Sequence, residues 1–491
     1  MNFKIHSSKP HRILSTIAVI FLSSCSFAQF SLTEIEYKLS KGTATISDIL
    51  GDTVLTNESS QYKKITGHSF VNYMQKISFT NDILPFPVDH YKCRFKDSII
   101  FNNVRFKSTV DFSLVRCTEP VSFHQSTLEG KTIFSWAQFY TAVVFSRSKF
   151  MGEAIFQHAI FNGSCDFFQS HFYSAADFYG CRFNNAANFA NITFRNEIDF
   201  SFSQLNADCT FKNAEFSKNA LFNNMEIKNT LDFSGARFGD LVSFSGCSVK
   251  GTLMFNNITL PRLLDLSKME SIANVIDLTQ IRSKSESDSY CYINLINTDI
   301  SKIKLRYENF RLWFPPSTGY ETKCKVYEEL LSSMNAFGFK NSYETVDIEY
   351  QQLKYAHKNQ FIKNKFQQVW WNYGYSKEAI FVWLFWIVLL LTLINSLFIR
   401  SLMGSIYEMK YLDRAKVVER YRLYHPFLAF FLNIPTGFLY TVILLAGGAF
   451  GIKFNSDQIR FPNFVGMLYI VSIGLLGISC SAFVVKFIFD L

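Results

Sequence analysis

The chain has 491 residues, 48% of them hydrophobic, a net charge of +9 and ten cysteines. That length leaves room for two or three domains, and so mild a charge excludes the strongly basic composition of a dedicated nucleic-acid binder. Aromatic residues make up 17%, with 54 Phe against 23 Tyr and 6 Trp, so the placement of Phe is the first question the sequence poses.

The N-terminus carries Lys4, Lys9, His11 and Arg12, then an apolar run from Ile13 to Phe21 and small residues up to Ala28. Residues 1–28 read as a secretory signal, too short in their apolar core to span a bilayer. Cleavage is expected after Ser26-Phe27-Ala28, and Leu22-Ser23-Ser24-Cys25 offers the alternative of a lipidated Cys25. Residues 29–76 are expected to form an N-terminal cap.

From Phe101 onward Phe recurs every eleven residues, at Phe101, Phe112, Phe123, Phe134, Phe145, Phe156, Phe167, Phe178, Phe189, Phe200, Phe211, Phe222, Phe233, Phe244 and Phe255. A second apolar series follows five residues behind, as in Phe106, Phe139, Phe150, Phe161, Phe172, Phe183, Phe194 and Phe216, so the spacing alternates between five and six. Two residues before most of these stands a small or β-branched side chain, such as Val121, Ala154, Ala176 or Ala214. An i−2, i pair puts both side chains on one face of an extended segment. A fixed period with such a pair marks a solenoid, whose units bury their apolar face only by stacking on one another. The 5/6 alternation would smear these residues around a helix.

Ala176-Asp177-Phe178-Tyr179-Gly180, Ala187-Asn188-Phe189-Ala190-Asn191 and Ala214-Glu215-Phe216-Ser217-Lys218 carry a resemblance to the pentapeptide-repeat family. That resemblance implies a right-handed quadrilateral β-helix with four quintets per coil. One extra residue in alternate quintets gives a coil of 22 and is expected to bulge at a corner. Positions 95–260 then make nearly eight coils, roughly 37 Å of rod at about 4.8 Å per strand. Ile77-Ser78-Phe79 and Leu84 extend the register upstream, with a lapse at His90, and Leu264, Leu266, Ile276, Leu278, Ile293, Leu295, Ile303 and Leu305 extend it downstream. The solenoid is expected over 77–310.

Between residues 91 and 260 there are 16 Lys and Arg against 14 Asp and Glu. Mimicry of DNA, an activity known in that family, needs a strongly acidic rod, which this one is not. Cys93, Cys165, Cys181, Cys209 and Cys247 fall in the inward slot and read as buried thiols acting as small hydrophobes. No Cys/His spacing of a zinc site is present.

Residues 320–375 read as a helical hairpin with a turn at Gly338. The region 379–489 holds three uncharged apolar stretches, about 379–399, 427–452 and 464–485, each long enough to cross a bilayer. The 401–424 loop carries Arg400, Lys410, Arg414, Lys416, Arg420 and Arg422 at or beside it, which favours the cytoplasmic side and agrees with an exported, periplasmic N-terminal domain in a bacterial membrane. Lys358, Lys363, Lys365 and Lys377 lie on the other side of the first stretch. Leu439-Tyr440-Thr441-Val442 followed by Gly447-Gly448-Ala449-Phe450-Gly451 resembles, weakly, the filter region of two-helix potassium-channel-like pores. Those last five residues are a candidate pore element or a helix-packing site.

These readings converge on a non-enzymatic protein, held in the lipid bilayer, whose exported rod is a scaffold or binding surface for a protein partner or a second copy of itself. No cofactor and no nucleic acid are expected. The alternative is a divergent ion-channel-like protein with a pore built from the last two apolar stretches.

Overall fold

A computed structural model describes residues 72–269, 271–283, 290–399, 424–450 and 464–489. The signal segment 1–28, residues 29–71 of the expected cap, nearly all of the basic loop and Gly451 lie outside the described residues. The chain divides into two compact units at Asp347.

The first unit is a four-sided parallel β-solenoid whose sides hold ten, nine, ten and eleven strands. Strands beginning at Asn72, Ile77, Ile83 and Val88 start the four sides in turn. Each pairs with a strand 22 residues later, as Asn72 with Arg94, and the same step recurs along the rod, as Val121 with Val143 and Ala176 with Ile198. Asn72–Tyr73 already belongs to the ladder, so the solenoid begins inside the segment expected as a cap. Near its end the step lengthens: Leu263 pairs with Tyr292. It then shortens, with Cys291 paired to Phe310.

Strands two residues long make few hydrogen bonds, so stability has to come from what their side chains do between coils. All fifteen members of the Phe series are buried. Phe178 stacks nearly parallel on Phe156 at 4.6 Å and on Phe200 at 4.5 Å, and meets Phe167 and Phe189 edge-on at 5.6 and 5.7 Å. Rings therefore stack along each column and interlock between the two columns, the geometries a ring quadrupole favours. His90 fills the lapse as one more buried ring, 5.0 Å from Phe112 and 5.3 Å from Phe95. Buried Ser126, Ser170 and Ser203 donate their hydroxyls to the carbonyls of Phe101, Phe145 and Phe178, which removes the cost of an unpaired buried hydroxyl.

At the C-terminal end, helix α1 (Tyr320–Ala336) turns Cys324, Tyr327, Leu330 and Met334 inward. Its Ser333 hydroxyl donates to Ile303 O at 3.2 Å, so the helix seals the last coil. Gly338, at φ +73°, starts the turn into α2 (Lys340–His357). There Ser342 accepts the Tyr307 N–H at 3.0 Å and donates to Glu308 at 3.1 Å.

The second unit contains α3 (Phe361–Trp371), α4 (Ala379–Leu397), α5 (Pro426–Leu432), α6 (Ile434–Phe450) and α7 (Phe464–Phe489). The hairpin expected over 320–375 thus contains a third helix. Helix α4 is long and apolar enough to cross a membrane. The stretch expected as one continuous span over 427–452 is instead bent by 46° between α5 and α6. Pro435 is the cause, because it lacks an N–H and its ring collides with the carbonyl four residues back. Helix α6 packs against both α4 and α7. Asn395 donates to Thr441 Oγ1 at 2.8 Å and accepts the Tyr469 hydroxyl at 2.6 Å, tying the three together.

Two outcomes follow from the packing of the rod. Phe178→Ala should cost about 3–5 kcal/mol, since the neighbouring coils are held apart by their own ladders and cannot collapse on the void, whereas Tyr179→Ala, next to it but outward, should cost under about 1 kcal/mol. Equal shifts in the thermal melt of the full chain would contradict this register.

The second concerns pH. Burial pushes the Cys117, Cys165, Cys181 and Cys209 thiols well above their ordinary value, and Cys247 up to about 12. Below the unfolded value of about 8.5 these thiols are neutral in both states. Above it the unfolded chain ionises and the native chain does not, so stability falls, by up to about 1.4 kcal/mol per thiol per pH unit. Urea midpoints measured at pH 7.5 and pH 10 should therefore diverge, and Cys165→Ala with Cys209→Ala should narrow the gap. An unchanged gap in that variant would mean the thiols do not carry the effect.

Candidate functional site

The four corners of the coil are not equivalent. At two opposite corners the step between large residues is six, and the extra residue sits in a bend such as Lys96-Asp97. At the other two the step is five, and the chain turns with a left-handed residue placed two after each Phe. There the N–H three residues on bonds back to the Phe carbonyl, as Ser126 N to Phe123 O at 3.1 Å and Ala159 N to Phe156 O at 2.9 Å. A single positive φ at the third residue of such a turn matches type II, which favours Gly or Asn.

One of these edges follows the preference at six of nine positions and is polar at the other three. It runs Asn81, Asn103, Gln125, Arg147, Gln169, Asn191, Asn213, Gly235 and Asn257, all at positive φ. Its side chains bond to one another along the rod, Asn103 Nδ2 to Asn81 Oδ1 at 2.8 Å and Arg147 Nε to Gln169 Oε1 at 3.1 Å.

The opposite edge has the same backbone and different chemistry. It runs Lys92, Leu114, Trp136, His158, Gly180, Phe202, Asn224, Gly246 and Lys268. Trp136 (φ +61°) and Phe202 (φ +62°) are bulky residues in a conformation that costs a non-glycine residue roughly 1–2 kcal/mol. They gain no burial in return, being 54% and 52% exposed. Trp136 stacks on His158 at 4.2 Å, His158 meets Tyr179 edge-on at 5.5 Å, and Tyr179 meets Phe202 at 5.3 Å. The His158 ring lies over Gly180, where a Cβ would come within 2.5 Å of its Nδ1. Glycine is thus the residue that lets the aromatic stack continue past that coil.

Polar side chains flank this ridge. Asp177 accepts from Gln157 Nε2 at 2.5 Å and from the Tyr179 N–H at 2.9 Å on one side. On the other, Tyr140 donates to Gln138 at 3.2 Å, Arg182 donates to Gln204 at 3.0 Å, and Asn162, Asn184 and Asn206 form an amide ladder at 2.8 and 2.7 Å. An exposed aromatic centre inside a polar rim is the composition of a binding surface.

Of the residues singled out in the sequence, the fifteen Phe lie inside the rod and line no surface. Gly447, Gly448, Ala449 and Phe450 form the last turn of α6. Their backbone is helical, not the extended loop whose carbonyls would line a filter. Close packing of glycine occurs elsewhere: a Cβ on Gly437 would lie 2.7 Å from Thr392 O, and one on Gly477 2.3 Å from Leu445 O. Sequence reading missed the Trp136 edge. Its signal was available in the residue two after each Phe, where Asn and Gly hold eight of fifteen positions and Leu114, Trp136 and Phe202 are the apolar exceptions. Among the described residues no group of three or more His, Cys, Asp or Glu gathers as a metal site.

The family model described as Pentapeptide repeats matches residues 123–171 and 211–259, in nine copies. The first matched stretch carries Trp136 and His158, and both stretches lie inside the solenoid. No curated protein and no solved structure matches the chain.

Substituting Trp136→Asn and Phe202→Asn should leave the melting temperature unchanged or raise it, because Asn tolerates the left-handed conformation and the relieved strain is about 1–2 kcal/mol per site. Loss of stability in both variants would make the aromatic residues structural and remove this edge as a candidate site.

Proposed function

We propose that the chain is a non-enzymatic, membrane-anchored scaffold whose rod binds a protein partner along the edge of Leu114, Trp136, His158, Tyr179 and Phe202. The observation that carries this reading is the contrast between two edges of identical backbone, one wholly polar or glycine and the other carrying Leu114, Trp136 and Phe202, exposed apolar residues that the turn disfavours. Strain kept at a surface without gain in packing is a mark of function. A solenoid suits the role, since its coils hold side chains at a fixed repeat on a rigid surface.

Anchoring is assigned to α4, with the α5–α6 pair and α7 packed beside it. Export of the rod to the periplasmic side rests on the signal-like segment 1–28 and on the basic residues around 401–424.

The test compares the two edges in the full chain within cells. A variant with Trp136→Asn, His158→Asn, Tyr179→Ser and Phe202→Asn should lose its cross-linked complexes while still pelleting with carbonate-washed membranes. A control with Asn103→Ser, Gln125→Ser, Arg147→Ser and Gln169→Ser should keep both. Loss of complexes in both variants, or in neither, would remove the aromatic edge from the function.

A further inference from the structure

Helix α3 is eleven residues long, and none of its residues is buried. On a helical wheel Phe361, Ile362, Phe366, Val369 and Trp370 share one side, while Lys363, Asn364, Gln367 and Gln368 share the other. Phe361 and Ile362 are 77% and 84% exposed, more than a soluble helix leaves its apolar face. With Trp383 at the start of α4, this face lines an open groove of about 540 Å³ that Lys365 borders.

The placement of α3 beside α4 is fixed by the link between them. Asn372, Tyr373 and Gly374 all have positive φ, at +48°, +55° and +97°, so the chain reverses sharply after Trp371. Trp370 and Trp383 then stack 6.2 Å apart, and Trp383 Nε1 donates to Val369 O at 2.9 Å.

From this geometry we infer that α3 lies in the plane of the membrane interface, its apolar face among the lipid acyl chains and its lysines at the headgroup phosphates. Four observations select a lipid surface as the occupant. The exposed apolar face of α3 adjoins α4, which is long and apolar enough to span. Lys358, Lys363, Lys365 and Lys377 bracket the segment, and Glu378 is the one acidic residue between 358 and 378. Lys365, inside the apolar arc, has a stem long enough to lay along that face and reach a phosphate. Trp370, Trp371, Tyr373, Tyr375 and Trp383 cluster at the junction of the two helices, the composition found where a protein crosses from hydrocarbon to headgroups. An amphipathic helix with Phe361, Ile362, Phe366 and Trp370 on one face, and Lys363 with three amide side chains on the other, binds in that plane.

This inference rests on the anchoring reading above, and its test separates the two. The full-length protein, in a Cys25→Ser background, receives a bimane label at Ile362→Cys, Gln368→Cys or Leu390→Cys, and is reconstituted in phosphatidylcholine vesicles with brominated acyl chains. The nine cysteines among the described residues are buried and should not label. Fluorescence should be lost at 362 and at 390 and kept at 368. Retained fluorescence at 390 overturns the anchor and the interfacial helix together. Loss at 390 with fluorescence retained at 362, or with equal loss at 362 and 368, overturns the interfacial helix alone.

Discussion

Ring-on-ring contact between successive coils is the interaction on which the rod depends. Its strands are too short to form an independent sheet, and each backbone ladder closes only when the coil above it is in register. The Phe columns set that register, because a ring displaced by one residue would point to solvent. Once Phe156, Phe178 and Phe200 are stacked, the N–H of Phe178 meets Asp199 O at 2.7 Å and the ladders on all four sides form together. The salt bridges between coils are secondary. Lys131–Glu153 at 2.9 Å and Lys250–Glu226 at 2.8 Å are solvent-accessible pairs, each worth less than about 1 kcal/mol.

Fixing the core in this way leaves the surface free to differ. A coil of 22 residues places every outward position at one of a few rows, and the row continues whatever residue occupies it. The left-handed corners show how far that freedom extends. The backbone tolerates Trp and Phe there because the columns beneath over-determine the turn, so strain of a few kcal/mol at the edge is small beside the burial of the rings it sits on. A stable core is thus a precondition for an unfavourable but usable surface.

What was legible in the sequence was whatever repeats. Fifteen Phe at one spacing mark the extended segments and their inward face, while the step of 22 between coils came from the resemblance to a four-sided repeat. The ends were less legible for the same reason. Asn72–Tyr73 enters the ladder without a Phe to announce it, and the late coils are stretched by insertions that no period records. The aromatic edge was hidden because Trp136, His158 and Phe202 look unrelated in the sequence and meet only once the coil length places them in one row. In the second unit hydropathy located the apolar helices but not α3, while Pro435, a single residue, decided that one of them bends.

The two units solve burial by different means. In the rod, apolar rings meet one another, and the buried hydroxyls of Ser126, Ser148, Ser170 and Ser203 are answered by carbonyls of the preceding coil. Among the apolar helices of the second unit, non-directional apolar contact alone gives little preference for one neighbour over another. Specificity there has to come from shape and from polar contacts. Gly437 and Gly477 let backbones approach closely, and Asn395 reaches both Thr441 and Tyr469. The same polar residues would cost free energy if buried without partners. Their mutual satisfaction therefore couples the arrangement of α4, α6 and α7, so that the three are stable as a set.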